Sequence, residues 1–190
     1  RAGVAATLTH AFYPVSMDQR DELLLALIKA TEHQSLMIFT RTRKEADTIC
    51  SMLNDKSDER VIAMHSDIGQ KDRMKALAGF KDDTYNILVA TDVAARGIDI
   101  SSVSHVINYR VPENAEDYVH RIGRTGRASD KGTAITFLGN WGVEKEAKFI
   151  LEVMEAAKQD IPQVVRDLAD GKSPGSSGDS WEKTFWQQPA

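Results

Sequence analysis

The sequence predicts an α/β domain of three layers, in which a mostly parallel sheet is covered by helices on both faces. Short apolar runs rich in β-branched residues alternate with longer segments whose apolar residues recur at helical spacing. Parallel strands need long crossover connections, and helices of this length supply them. A chain of 190 residues with 42% hydrophobic and 27% charged residues is large enough for one such domain with its own core.

Strands and helices alternate in order along the chain. A strand over 10–15 precedes a helix opened by a capping box at Ser16 and Gln19, and a strand over 36–40 precedes a helix opened by a second box at Thr42 and Glu45. Further strands are predicted over 61–64, 86–90, 103–108 and 132–138, and further helices over 71–80, 114–122 and 143–157.

The domain is predicted to cover residues 1–169, followed by a flexible tail over 170–190. From residue 170 the composition becomes rich in glycine and serine, which is typical of a linker. Trp181, Phe185 and Trp186 follow with no room for a core of their own. A disordered end and a segment that docks on the domain or on a partner both stay open for them.

The composition limits the classes of function and the compartment. A net charge of −4 is not that of a general polyanion binder, but residues 141–190 hold 6 Lys/Arg against 9 Asp/Glu, so the remainder is nearly neutral and a local positive strip is possible. The apolar runs fall far below the ~18 residues of a membrane span, and neither a membrane-spanning segment nor a secretory leader is expected. The single cysteine, Cys50, suits a reducing cytoplasm.

The segment over 118–128, Y-V-H-R-I-G-R-T-G-R-A, is the first that points to chemistry. His120, Arg121, Arg124 and Arg127 lie close together in it, and interspersed glycines let the backbone approach a ligand. Because guanidinium groups match phosphate oxygens with pairs of donors, an anionic ligand is expected. A solvated basic loop is the alternative for this segment taken alone.

A second segment, A-T-D-V-A-A-R-G-I-D-I over 90–100, follows an apolar run that is typical of a buried parallel strand. Thr91, Asp92 and Arg96 are therefore expected at the carboxyl end of that strand. Open α/β sheets bind their ligands at this edge.

Together the two segments resemble motifs V and VI of DEAD-box ATP-dependent RNA helicases. The first four fifths of the chain resemble the second, C-terminal RecA-like domain of that family. The resemblance implies an enzyme that clamps ATP and RNA between two domains and couples ATP hydrolysis to local separation of RNA strands.

The resemblance also implies ATP and Mg²⁺ as cofactors, and RNA and an N-terminal RecA-like domain as partners. The phosphate-binding loop and the magnesium carboxylates belong to that N-terminal domain in the family. Gly171-Lys172-Ser173 does not supply the loop, since Arg166 stands where its first glycine is required. The scattered histidines predict no metal site of this chain's own. The domain alone is therefore expected to hydrolyse essentially no ATP.

For the nucleotide, the resemblance gives Arg124 and Arg127 the role of arginine fingers that reach the γ-phosphate when the domains close. An arginine supplied in this way is worth about 10³ to 10⁵ in rate. His120 and Arg121 correspond to neighbouring positions that link the nucleotide and RNA sites. Asp99 corresponds to the acid that hydrogen-bonds the ribose hydroxyls, with a plain turn or cap residue as the alternative.

For RNA, the resemblance assigns backbone contacts to residues of three segments. Thr91 and Gly97 belong to motif V, Gln70 and Arg73 lie in the segment over 65–73, and Arg41 lies in F-T-R-T over 39–42, which resembles motif IV. Gly97 also fits a position where the backbone approaches the nucleotide. Contacts to phosphates carry no sequence information, so RNA binding is expected to depend on salt and to tolerate many sequences.

Two positions depart from the family pattern. Arg110 stands where Asp is usual, which puts any interdomain contact of that acid in doubt, and Ser129 stands where Gly is usual. Two other functions stay open. A DNA-directed translocase is disfavoured by His120, where many relatives have Gln, and a non-catalytic RNA-binding or scaffold module is disfavoured by the retained arginines. His65 is interpreted as a structural histidine.

Overall fold

A computed structural model describes residues 8–33, 35–98, 100, 103–125, 132–139 and 142–172. These residues form one sheet of six strands in the order β1-β6-β5-β2-β4-β3, and every neighbouring pair is parallel. The strands are β1 Leu8–Pro14, β2 Leu36–Thr40, β3 Val61–Met64, β4 Ile87–Thr91, β5 His105–Asn108 and β6 Gly132–Leu138. The predicted parallel α/β architecture is confirmed.

Helices cover both faces of this sheet. They are α1 Arg20–Ala30, α2 Arg43–Lys56, α3 Gln70–Lys81, α4 Asp92–Ala95, α5 Ala115–Ile122, α6 Glu144–Ala156 and α7 Gln163–Ala169. Alternate residues of a strand serve opposite layers: in β2, Ile38 packs in the core formed with α1 and α2, whereas Phe39 packs with α3 and α4. A third cluster packs β1 and β6 against α5, α6 and α7.

The topology creates a crevice at the carboxyl ends of β2 and β5. These strands are neighbours, yet β2 leads to α2 on one face of the sheet and β5 leads to α5 on the other. The connections therefore diverge, and a ligand can enter between them. The amide of Tyr109 donates to the carbonyl of Phe39 at 3.1 Å, so the two strand ends stay in register up to the crevice.

The two predicted capping boxes have different outcomes. The hydroxyl of Thr42 accepts from the amide of Glu45 at 3.1 Å, so Thr42 caps α2 as predicted. The Glu45 carboxylate, however, accepts from the amide of Arg41 at 3.1 Å and does not close the box on the Thr42 amide. Ser16 makes no side-chain cap, and its hydroxyl instead donates to the Asp18 carboxylate at 2.6 Å. That prediction was wrong because a 3₁₀ turn over Met17–Gln19 precedes α1, which begins only at Arg20.

Other elements differ in extent from the prediction. Neither α4, which has four residues, nor α7 was predicted, since neither is long enough to show a helical period. Val103 lies outside β5 and forms an isolated bridge to Thr125. The tail over 173–190 lies outside the described residues, so the domain boundary stays a prediction. Among the described helices, none combines the length and apolar character needed to cross a membrane.

We expect Thr42→Ala to lower the free energy of unfolding by about 0.5 to 2 kcal/mol, because it removes the cap of α2. Ser16→Ala removes a serine at a helix start that makes no cap, so a change within about 0.5 kcal/mol is expected. Urea denaturation of both variants checks this. Equal losses in the two variants would contradict the assignment of the caps.

Burial of His10 makes the stability depend on pH. Burial lowers the pKa of His10 from 6.5 to about 4, while its Nδ1 lies 3.3 Å from the Tyr118 hydroxyl. Between these values the unfolded chain binds the proton and the folded chain does not. The free energy of unfolding therefore falls with falling pH, with a slope of up to about 1.4 kcal/mol per pH unit from this group. His10→Phe should remove this contribution in urea titrations from pH 7 to 4, whereas the contribution of His105, whose pKa burial also lowers to about 4, should remain.

Candidate functional site

The candidate site lies along one edge of the sheet, where four adjacent strands end. The polar residues there are buried: Asn108 ends β5, Thr40 ends β2, Thr91 ends β4 and His65 follows β3. Because all strands are parallel, their carboxyl ends and the loops after them meet at this edge. It is also the edge at which Thr91, Asp92 and Arg96 of the segment over 90–100 were expected.

Arg121 is the most buried arginine of the edge, with 3% of its surface exposed. Its Nε and Nη2 donate to the two carboxylate oxygens of Asp92, each at 2.7 Å. Its Nη1 donates to Oδ1 of Asn108 at 3.2 Å and to the carbonyl of Arg110 at 2.6 Å. The guanidinium carbon also lies 5.1 Å from the centre of the Phe39 ring. All three guanidinium nitrogens are thus used inside the domain.

Three arginines from different elements bind three successive carbonyls after β5. Arg20, at the start of α1, donates to the carbonyl of Tyr109, and Arg121 of α5 donates to that of Arg110. Arg41, after β2, donates to the carbonyl of Val111 at 3.0 Å. We call residues 109–111 the clamped segment. Backbone carbonyls that no strand pairs are thereby satisfied and the segment is held in one place.

Arg20 carries its charge in an apolar setting. It is 5% exposed, its Nε has no partner among the described residues, and it lies 6.0 Å from the Tyr109 ring centre. Burial lowers its pKa to about 10, and the nearby charges of Arg110 and Arg41 act in the same direction. The group still stays protonated at neutral pH.

Arg124 lies against the loop that follows α4. Its Nη1 donates to the carbonyls of Ile98 and Ile100 at 2.6 and 3.2 Å, and its Nη2 donates to the carbonyl of Ala95 at 2.8 Å. The amide of Val103 donates to the carbonyl of Arg124 at 3.0 Å. Motifs V and VI are therefore joined by backbone acceptors as well as by the pair of Arg121 and Asp92.

Gly97 and His120 lie at the exposed part of this edge. Gly97 has a φ of +71°, which an L-residue with a side chain rarely adopts, and a Cβ placed there would meet no atom within 4 Å. The glycine is thus required for the turn and leaves open space beside it. His120 is exposed on α5. Arg96 is exposed and lies 3.5 Å from the carboxylate of Asp117.

The residues predicted to bind RNA follow the strand order along the edge. Gln70 is exposed at the start of α3, and Arg73, one turn later, donates from Nη2 to the carbonyl of Ala94 at 3.1 Å. The buried Thr91 begins α4 without capping it through its side chain. Arg41 is exposed after β2. The structure thus brings these four residues to the same edge from three neighbouring strands.

His65 has the geometry of a structural histidine. It is 4% exposed, its Nδ1 accepts from the amide of Asp67 at 3.1 Å, and its Nε2 lies 2.9 Å from a carboxylate oxygen of Asp47. Because Nδ1 is an acceptor, the ring carries its proton on Nε2 and donates it to Asp47. Both ring nitrogens are used within the domain.

Two predicted site residues, Asp99 and Arg127, lie outside the described residues. Their roles stay predictions. Within the described ranges, no group of three or more His, Cys, Asp or Glu side chains could hold a metal ion.

Comparisons with known proteins identify the family to which this chain belongs. A family model described as "Helicase conserved C-terminal domain" matches residues 19–129, which include β2 to α5 and both motifs. The chain is 40% identical over 171 residues to the DEAD-box ATP-dependent RNA helicase RhpA of Helicobacter pylori. This chain is a DEAD-box helicase C-terminal domain.

Solved structures of DEAD-box proteins have the same fold. The domain is similar to a DEAD box protein from Methanococcus jannaschii, with a TM-score of 0.70 and 37% identity over 82% of this chain and 41% of that chain. It is also similar to the C-terminal domain of the DEAD-box protein Dbp5, with a TM-score of 0.71 and 27% identity over 80% and 86% of the two chains. The match to RhpA covers 87% of this chain and 35% of the relative. The chain therefore spans about a third of the length of this curated relative.

Arg110, which departs from the residue expected of DEAD-box proteins, pairs with an acidic residue in the structure. The Nε of Arg110 donates to Oε2 of Glu45 at 3.0 Å, while Oε1 of Glu45 accepts from the amide of Arg41 at 3.1 Å. One carboxylate from α2 therefore joins the loop after β2 to the clamped segment.

The sequence did not predict the residues that hold the arginines of this edge in place. Asp92 was noted only for its position after a strand, and Asn108 and Arg20 were given no role. Their partners lie 13 to 89 residues away along the chain. Arg20 stands between the polar residues Gln19 and Asp21, so the local sequence carried no signal of its burial.

Arg121→Met is expected to lower the free energy of unfolding by about 3 to 5 kcal/mol, because it leaves the Asp92 carboxylate without its buried partner. Arg96→Met is the matched control: its ion pair is 3.5 Å long and its side chain is 66% exposed. We expect a loss below about 1 kcal/mol there. Urea denaturation measures both. A loss below 1 kcal/mol for Arg121→Met would contradict the structural role of this residue.

Proposed function

We propose that this domain supplies one half of the ATP site and part of the RNA site of an ATP-dependent RNA helicase. The observation that carries the proposal is that hydrogen bonds and an ion pair connect motifs V and VI. Arg121 binds Asp92 through two bonds of 2.7 Å, and the Arg124 guanidinium donates to the carbonyls of Ala95, Ile98 and Ile100. A change at one motif therefore moves the other, as coupling between ATP and RNA requires.

On the nucleotide side, Arg124 and Arg127 act as the arginine fingers in this proposal. The support for Arg124 is its place beside Gly97, at the edge where open α/β sheets bind ligands. In the domain by itself its guanidinium donates to carbonyl oxygens. A γ-phosphate is a stronger acceptor because it is charged, so Arg124 exchanges these carbonyls for phosphate oxygens when the domains close.

The other residues expected near the nucleotide have different roles in this proposal. Asp99 binds the ribose hydroxyls, and the open space over Gly97 lets its backbone approach the nucleotide. His120, exposed on α5, contacts the facing domain. Arg121 is fully engaged within the domain, so it acts by holding α5 in place rather than by touching ATP. ATP binds with Mg²⁺, whose carboxylate ligands belong to the N-terminal RecA-like domain.

On the RNA side, Thr91, Gly97, Arg73, Gln70 and Arg41 bind the sugar-phosphate backbone. The support is their row along the carboxyl edge, where adjacent strands lie about 4.8 Å apart. Such a row follows a backbone and reads no base edges, so binding tolerates many sequences. The single cysteine fits a reducing compartment, and we place the protein in the cytoplasm.

The chemical contribution of this chain is to complete a site that a second domain begins. Closure brings the fingers to the transferring phosphate and shields it from bulk water, apart from the one water molecule that attacks it as ADP leaves. RNA held along the same edge favours the closed arrangement, and hydrolysis releases it. In this scheme the chain alone has essentially no ATPase activity.

In the full-length protein we expect RNA to stimulate ATP hydrolysis and Arg124→Ala to lower the stimulated rate by about 10³. Arg166→Ala on the exposed face of α7 is the control, because it removes the same group from a helix outside both motifs. Hydrolysis is measured with RNA, with DNA of the same sequence and without nucleic acid.

Each outcome has a defined reading. RNA-specific stimulation that Arg124→Ala abolishes and Arg166→Ala preserves supports the proposal. Equal stimulation by DNA points to a DNA translocase, and no hydrolysis in any condition points to a binding module. Magnesium-dependent turnover by this chain alone, lost in Arg124→Ala, would contradict the need for a second domain.

A further inference from the structure

The crevice between β2 and β5 carries more positive charge than its carboxylates balance. Arg20, Arg41 and Arg110 lie around it, against the carboxylates of Asp21 and Glu45. Both oxygens of Glu45 are occupied, by the Arg41 amide and the Arg110 side chain. Three arginines against two carboxylates leave one positive charge uncompensated in this part of the described chain.

The two outer arginines are held in place with donors to spare. Arg110 uses only its Nε, at 3.0 Å from Glu45, and Arg41 uses only its Nη2, at 3.0 Å from the Val111 carbonyl. Among the described residues, no acceptor binds Nη1 or Nη2 of Arg110, or Nε or Nη1 of Arg41. The side chain of Arg110 is 31% exposed and Arg41 is exposed, so the spare donors are accessible.

The backbone beneath Arg110 is also fixed. Its own carbonyl accepts from Arg121 at 2.6 Å, and those on either side accept from Arg20 and Arg41. A guanidinium anchored at both its backbone and its Nε loses little freedom when it binds a second acceptor. Such preorganised forks suit the planar pairs of oxygens on a phosphodiester.

We propose that Arg110, together with Arg41, forms an additional binding position for a phosphodiester group of single-stranded nucleic acid. It extends the row of backbone contacts by one strand, from β3, β4 and β2 to β5. The proposal rests on the proposed RNA function of this edge. An acidic side chain of a facing protein domain is the competing occupant. The continuity with Arg41 favours nucleic acid.

This position follows from the charge at residue 110. A carboxylate at this position would repel a phosphate, whereas the arginine attracts one. Glu45 sets the orientation of the arginine without using its outer nitrogens. The charge of residue 110 therefore decides whether the nucleic-acid backbone is held at this point.

The test measures binding of the full-length protein to a labelled single-stranded oligouridine of about 12 nucleotides, with a non-hydrolysable ATP analogue, across about 50 to 200 mM salt. Arg110→Gln is expected to weaken binding by about threefold to tenfold and to lower the slope of log affinity against log salt by about 0.7, the value for one phosphate contact on a single strand. Arg110→Lys keeps the charge and should keep the slope.

Arg60→Gln is the matched control. Arg60 is also exposed and anchored, with bonds of 3.1 and 3.2 Å to the carbonyls of Thr84 and Asp83, but it precedes β3 at the opposite edge of the sheet. Affinity and slope should not change. Glu45→Gln should act in the opposite direction and tighten binding by about twofold to fivefold, since it removes the balancing charge and keeps an acceptor. A thermal melt confirms that each variant is folded.

The outcomes separate this proposal from the function it rests on. Unchanged affinity and slope in Arg110→Gln, with salt-dependent binding by the wild type, overturns the phosphodiester position and leaves the RNA function intact. A raised KM for ATP in Arg110→Gln with unchanged RNA binding also overturns it, in favour of a contact between domains. No binding by the wild type overturns both proposals. DNA of the same length run in parallel shows whether the position depends on the ribose hydroxyl.

Discussion

The ion pair between Arg121 and Asp92 is the interaction on which the carboxyl edge depends. A guanidinium that is 3% exposed is tolerated only if its donors are met, and here a carboxylate, an amide oxygen and a backbone carbonyl meet them. The pair fixes α5 against the end of β4. The pair therefore also sets the positions of His120, which lies on α5, and of Arg124, which follows α5.

The Arg121 guanidinium also donates to the carbonyl of Arg110 in the clamped segment, so it links this segment to α5 and to the end of β4. Parallel strands end with carbonyls that no neighbour satisfies, and a functional loop needs them satisfied without more secondary structure. Arginines from α1, from the loop after β2 and from α5 supply the donors. Three distant parts of the chain thus converge on three consecutive residues, and Arg110 is oriented in the middle of them.

The net charge of the chain and the charge of its working edge differ because charge is distributed unevenly. A total of −4 coexists with a cluster of arginines at the carboxyl edge. Among the described residues, the side chains of Arg20 and Arg41 are bonded to backbone oxygens, which bind a cation without cancelling its charge. Carbonyls therefore let Arg20 and Arg41 concentrate positive charge at a place that an anion can reach, in a protein that is acidic as a whole.

Several features were determined by the sequence itself. Three strands have the predicted bounds, because apolar runs such as L-M-I-F-T fit only a strand buried on both faces. The two motifs were readable because the residues of each lie close together in the sequence, as Arg121 and Arg124 do. Ser16 shows the limit of such local reasoning: its capping pattern is present, but the backbone makes a 3₁₀ turn first.

Tertiary structure alone decided how the charges are shared. Arg20 and Tyr109 are 89 residues apart, and Arg110 and Glu45 are 65 apart, so no local pattern predicts that they meet. Arg121 has the sequence context of a ligand-binding arginine, yet its donors turn inward because Asp92, directly after β4, lies within hydrogen-bond distance of it. Arg110 was visible in the sequence only as a departure from the family pattern. Its orientation depends on strand order, since the order β5-β2 brings Glu45 and Arg41 beside it, and strand order is a property of the assembled sheet.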